Sequence, residues 1–215
     1  MVLLPSHLEV VNCRTDSHCN YENLNTLGLF SILFWNGGGC MSSRLRVNPE
    51  LKKIISSHPD IFVYAESLIY GDIERKLTGY YAFHHPAINK SCRRGIAVFF
   101  KDKFQFCLSK EKVSKKFDIV WIKFRNKDDL FVLCFFYAPG DHKPIEERTA
   151  FYDEMRTGYK SYPPGTKIFF LGDSNARLGV FSKDTGINGQ FVTNGNEPLF
   201  LGFLEYTGLS YLNGI

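Results

Sequence analysis

The 215-residue sequence predicts an α/β fold in which sheets are covered by helices. Three observations predict it. Apolar runs such as Leu29 to Trp35, Ile61 to Ala65 and Leu130 to Tyr137 are continuous rather than alternating, as in strands buried on both faces. Segments with the helical period lie between some of these runs. Twenty Phe and eleven Tyr raise the aromatic share to 15%, and aromatic residues favour strands.

Residues 1–27 are polar and aperiodic and are expected to form a poorly ordered leader, with residues 28–215 forming one domain. Within the leader, His7, Cys13, His18 and Cys19 have a spacing that matches no standard zinc site. Leu29 to Trp35 reads as a strand stopped by Gly37, Gly38 and Gly39. Arg46 to Ser57 has the helical period, with Leu51, Ile54 and Ile55 on one face and Pro49 near its start. Ile61 to Ala65 is a second strand, introduced by Pro59 and Asp60. Further strands are expected at Tyr80 to His84, Ile96 to Phe100, Phe104 to Leu108, Ile119 to Phe124 and Leu130 to Tyr137. Ile145 to Tyr159 reads as a helix and Lys167 to Leu171 as a buried strand ending at Gly172 and Asp173. Leu199 to Thr207 is the last helix, before the apolar segment Leu209 to Leu212.

A chain that is 44% hydrophobic and 22% charged can bury a core and is not intrinsically disordered. Its longest apolar runs, such as Phe131 to Ala138, are too short to span a bilayer, so no membrane partner is expected. His7 and Glu9 interrupt the N-terminal apolar residues before a secretory signal could form. Six cysteines occur without a CxxC pair, several inside strand-like runs. They are expected to be buried thiols in a reducing, intracellular compartment, compatible with the nucleus and without a disulfide-linked partner. The net charge of +4 hides an asymmetry: between His85 and Lys127, twelve Lys and Arg face three Asp and Glu. Such a basic centre suits a polyanion, because clustered cations replace phosphate counterions. Solvated lysines guarding an edge strand would produce the same composition.

Polar residues recur where the apolar runs end. Asn36 follows the first and Glu66 the second, Tyr137 closes another, and Asp173 with Asn175 follows Leu171. Strand ends deliver their next side chains to one rim of a sheet, so these five can converge. Asn and Asp also favour strand-to-loop turns on their own, which explains any one of them better than all five together. Two carboxylates and two amides form an all-oxygen set, the donor type preferred by hard divalent cations, Mg²⁺ in particular.

The segments Ile32-Leu-Phe-Trp-Asn36-Gly, Pro59-Asp-Ile-Phe-Val-Tyr-Ala-Glu66, Arg94-Gly-Ile-Ala-Val98, Phe136-Tyr137-Ala-Pro139 and Leu171-Gly-Asp173-Ser-Asn175-Ala occur in this order. Together they resemble the motifs of the endonuclease/exonuclease/phosphatase superfamily. Tyr137-Ala-Pro139 and Gly208-Leu-Ser-Tyr-Leu-Asn213-Gly are similar to the apurinic-type endonuclease domains of non-LTR retrotransposons. The resemblance implies a two-sheet α/β sandwich and Mg²⁺-dependent (or Mn²⁺-dependent) hydrolysis of a phosphodiester, with double-stranded DNA as partner. By motif, Glu66 would be the main metal carboxylate, assisted by Asn36 and Asp173 as further metal residues. Asp173 would orient or deprotonate the attacking water, and Asn175 and Tyr137 would hold the scissile phosphate. Arg93 and Arg94, with His84 and His85 upstream, would contact the nucleic-acid backbone, although the histidines have an equally good structural reading.

The family normally closes with an Asp-containing strand and then a strand ending in Ser-Asp-His. Neither occurs before Ile215, and the lone Asp141-His142 pair follows the Tyr-Ala-Pro strand, where it reads as a loop. The fold is therefore expected to miss its last strands, exposing a sheet edge and impairing catalysis. Two other readings stay open: a catalytically dead remnant that binds nucleic acid or protein, and a phosphatase or phosphodiesterase acting on a lipid or nucleotide.

Overall fold

The structure is a computed structural model, and it describes residues 31–36, 56, 58–68, 77–86, 95–102, 108–126, 129–178 and 192–209. The expected leader, Arg93, Arg94 and most of the expected helix Arg46 to Ser57 lie outside the described residues, Ser56 being helical. Five of the six cysteines also lie outside. The sixth, Cys134, is a buried free thiol, and burial pushes its pKa well above the ordinary range.

The described residues form eight strands and two helices. In chain order these are β1 (Ile32–Asn36), β2 (Ile61–Ala65), β3 (Tyr80–His85), β4 (Ile96–Lys101), β5 (Leu108–Val113), β6 (Asp118–Asn126), β7 (Asp129–Tyr137), α1 (Ile145–Lys160), β8 (Lys167–Asp173) and α2 (Glu197–Thr207). Two four-stranded sheets result, ordered β1-β2-β4-β3 and β5-β6-β7-β8. Each sheet has one parallel pair at an edge, β1 with β2 and β7 with β8, and is otherwise antiparallel.

Alternating side chains explain why the apolar runs are continuous. Ile32, Phe34, Ile61, Val63, Val98 and Phe100 of the first sheet meet Val120, Ile122, Leu133, Phe135, Phe169 and Leu171 of the second. The intervening residues of the second sheet, among them Trp121, Cys134, Phe136 and Phe170, pack under Phe151, Tyr152 and Met155 of α1 and Phe200, Phe203 and Leu204 of α2. On the other face of the first sheet, Leu33, Trp35, Phe62, Tyr64 and Phe99 form a third cluster. Burying one such large side chain contributes about 1.5–3 kcal/mol. Gly158 of α1 is required by this packing, since a Cβ there would collide with the Trp121 ring. Gly208 ends α2 at φ +65°, a left-handed cap that glycine adopts without steric cost. No described helix is long and apolar enough to cross a membrane.

Of the strand expected at Phe104 to Leu108, only Leu108 is among the described residues, and it begins the strand Leu108–Val113. Its Ser-Lys-Glu-Lys interior has no apolar period to announce it. It is a strand because β6 pairs with it, through an irregular register between Lys110 and Lys112. At a sheet edge, lysines and a bulge also discourage pairing with further chains.

Candidate active site

Parallel pairing brings the ends of β1 and β2 together, so Asn36 and the residue after Ala65, Glu66, stand side by side. The register of β7 with β8 does the same for Tyr137 and Asp173. Hydrogen bonds across the gap show that these two rims meet. Asn36 Nδ2 donates to Asp173 Oδ2 at 2.8 Å. The Tyr137 hydroxyl donates to Glu66 Oε1. All five residues expected at the site are therefore in one place, since the Asn175 N–H donates to Asp173 Oδ1 at 2.8 Å and its amide to Ala138 O at 2.6 Å.

The backbone turns sharply at two of them. Glu66 has φ +53° and Asn175 φ +47°. Asn tolerates this left-handed region better than Glu does, and a non-glycine residue held there costs on the order of 1 kcal/mol. At Glu66 the turn is held by the next residue, Ser67, whose N–H donates to Gly95 O at 3.0 Å. The Tyr137 hydroxyl is pushed well above its ordinary pKa by burial, then by its bond to Glu66 and the charges of Glu66 and Asp173, while the Asn175 amide works against them. It is thus a protonated donor at neutral pH.

Several supporting residues have no counterpart in the sequence reading. The buried Tyr152 hydroxyl of α1 donates to Ser174 O at 3.1 Å, bracing the loop after β8. Asn194 Nδ2 donates to Asn175 O at 2.7 Å. Asn196 Nδ2 donates to both Pro139 O at 2.8 Å and Asn175 O at 3.1 Å, and Asn196 Oδ1 accepts from Arg148 Nη1 at 3.1 Å. The signal available was Asn194-Gly-Asn196 just before Pro198, which marks a helix start.

Farther along the same rim, His85 Nε2 lies 3.1 Å from Phe117 O and 3.7 Å from Asp118 Oδ1, joining the end of β3 to the start of β6. His85 is only 6% exposed, and half-buried His84 packs edge-on against Phe99, so both histidines named as nucleic-acid contacts also have partners within the fold. Lys101 pairs with Asp60 at 3.0 Å. Lys112, on β5, and Lys115 and Lys116, in the β5–β6 turn, are exposed. That turn opens at the site rim, because Val113 pairs with Val120 and Asp118 with Tyr137. Asp141 and His142 occupy an exposed turn, as expected.

Among the described residues no three His, Cys, Asp or Glu side chains gather as a metal cluster. The donors present are two carboxylates and the Asn36 amide, which fits a hard cation that keeps most of its shell as water. Asp173 already accepts an N–H on each oxygen, whereas Glu66 accepts one hydroxyl, so Glu66 is the better-disposed ligand.

No family model matches the sequence, and no curated protein is significantly similar to it. Solved structures do match. Two face-to-face sheets with an edge parallel pair in each, and the polar rim between those edges, are the endonuclease/exonuclease/phosphatase fold. The AP endonuclease LMAP from Leishmania major aligns with TM-score 0.59 and 14% identity, over 82% of this chain and 66% of that one. The endonuclease domain of TRAS1, a telomere-specific non-LTR retrotransposon, aligns with TM-score 0.55 and 18% identity, over 86% of this chain and 73% of that one. The Xenopus laevis APE2 catalytic domain aligns with TM-score 0.54 and 14% identity, over 80% of this chain and 67% of that one. The chain spans about two thirds of the length of the first of these structures. At these identities the likeness is one of fold.

Proposed function

We propose that this chain is a divalent-metal-dependent phosphodiester hydrolase of retrotransposon type that nicks double-stranded DNA. The observation that carries the reading is the hydrogen-bonded joining of Asn36, Glu66, Tyr137, Asp173 and Asn175 from the ends of four strands in two sheets. Two of the aligned structures are named as endonucleases, which supports it. The exposed Lys112, Lys115 and Lys116 suit a phosphate backbone as partner.

Glu66, with Asn36 and Asp173, would hold Mg²⁺ or Mn²⁺, which supplies charge neutralisation at the phosphate and at the leaving oxygen. Asp173 orients a water and takes its proton as the water oxygen bonds to phosphorus. The bond from phosphorus to the leaving sugar oxygen breaks, and that oxygen takes a proton from solvent water. Tyr137, kept protonated by its surroundings, would turn its single O–H from Glu66 to a non-bridging phosphate oxygen. Asn175 places its amide beside the same group.

The test is nicking of supercoiled plasmid with Mg²⁺ by the wild type, Glu66→Ala and Asp173→Ala. Loss of nicking in both variants is expected. Equal nicking by all three proteins would sink the assignment. A non-catalytic nucleic-acid binder is the second reading, favoured by the same exposed lysines, and salt-dependent DNA binding without Glu66-dependent nicking would identify it.

A further inference from the structure

We propose that Asn196 is a positioning residue that locks together the two loops carrying the site. One loop leaves β7 after Tyr137 through Ala138 and Pro139, and the other leaves β8 after Asp173 through Ser174 and Asn175. A single fully buried side-chain amide bonds a carbonyl in each, Pro139 O at 2.8 Å and Asn175 O at 3.1 Å. Both N–H donors of the amide are used on the loops, and its oxygen is taken by Arg148 of α1 at 3.1 Å. Arg148 is itself tied to Lys143 O through Nε at 3.0 Å.

The position of Asn196 makes this assignment specific. It stands at the N-cap of α2, where Asn ordinarily turns its oxygen back to the first N–H groups of the helix. Here it makes no side-chain cap bond at all. The local use of the residue is given up for the tertiary one. Asn194 reinforces it from two residues away: its amide donates to the same Asn175 O at 2.7 Å, while its oxygen accepts the N–H of Arg177 at 3.0 Å and of Asn196 at 3.2 Å. The Asn175 carbonyl is thus gripped twice, and its left-handed backbone is held against relaxation. Across the two loops, the Ala138 N–H donates to Asp173 O at 2.8 Å, so a shift of either loop moves Asp173 relative to Tyr137.

The rate consequence rests on the hydrolase reading above, whereas the locking of the loops does not. Asn196→Asp keeps the size and the Arg148 partner but removes both donors, and Asn196→Ala removes everything. Leu204→Ala, which opens the core under the same helix and removes none of the side-chain hydrogen bonds to either loop, is the control for general destabilisation. The measurements are amide hydrogen exchange at Ala138 and Asn175 in each purified chain, and kcat and KM for Mg²⁺-dependent nicking. Both Asn196 variants are expected to exchange faster at both amides and to lose about 10²-fold in kcat with KM little changed, as for a displaced reacting group. Leu204→Ala is expected to leave both readouts at wild-type values per folded molecule. Asn194→Ala, a milder change, should loosen Asn175 more than Ala138. Unchanged exchange at both amides in Asn196→Asp, or equal loosening in Leu204→Ala, overturns the proposal. If the wild type shows no Glu66-dependent nicking, the hydrolase reading fails and the exchange data alone decide on Asn196.

Discussion

Strand β2 has a carboxylate beside each of its ends, and the molecule handles the two in opposite ways. At the N-terminal end, Asp60 is closed off by its own sheet. Its Oδ1 receives the Lys101 ammonium at 3.0 Å, and its Oδ2 receives the Ser31 N–H at 2.9 Å and the Ser31 hydroxyl at 3.2 Å. The Asp60 N–H returns a bond to the Ser31 hydroxyl at 3.0 Å, so the clasp ties β4 and the approach to β1 onto β2. At the C-terminal end, Glu66 takes one hydroxyl from the opposite sheet, in a left-handed backbone conformation, and pairs with no cation among the described residues. A buried charge is tolerable when donors and an opposite charge are supplied internally. Asp60 has them, which marks a structural acid. Glu66, half-buried, has a single hydroxyl and no cation among the described residues, so the two acids differ in how the described fold satisfies them.

The sharpest way to break this contrast is Glu66→Gln, which keeps the volume and an acceptor for Tyr137 while removing the charge. Plasmid nicking should fall by at least about 10²- to 10³-fold, with a calorimetric midpoint within a few degrees of wild type. A variant that nicks normally would make Glu66 as structural as Asp60. Next in size is Asp60→Ala, which leaves Lys101 and Ser31 without their acceptor. It should cost about 3 kcal/mol in urea unfolding and leave nicking per folded molecule unchanged. A fall in nicking as large as that of Glu66→Gln would erase the distinction.

The smallest effect is a pH dependence at the Asp60 end. The buried Tyr80 hydroxyl donates to Pro59 O at 2.7 Å. Burial and then the charge of Asp60 push its pKa up to about 12. Below the unfolded value of about 10 both states keep the proton and the contribution is whole. Between about 10 and about 12 only the folded state keeps it, so stability falls as pH rises. Urea midpoints measured across this range should decline less steeply in Tyr80→Phe than in wild type. An unchanged slope would show that Tyr80 does not carry this proton.

Much of this architecture was legible in the sequence, for a reason that also explains the misses. β1, β2, β4, β7 and β8 announced themselves because both of their faces are buried, so nearly every residue had to be apolar. β5 has a polar interior and exists through its pairing with β6, information that no local pattern holds. The five polar residues at strand ends were legible by contrast with the apolar runs before them. Asn194 and Asn196 were not, since an Asn before a helix already has a sufficient local explanation as a cap.

By itself the sequence determined the doubly buried strands, and which polar side chains stand at their ends, because burial on two faces and an abrupt polar stop are local properties. The tertiary structure alone decided that β1 meets β8 and β2 meets β7, setting Asn36 on Asp173 and Tyr137 on Glu66. The stacking of two sheets depends on every side chain of the core between them, and no stretch of sequence contains that sum.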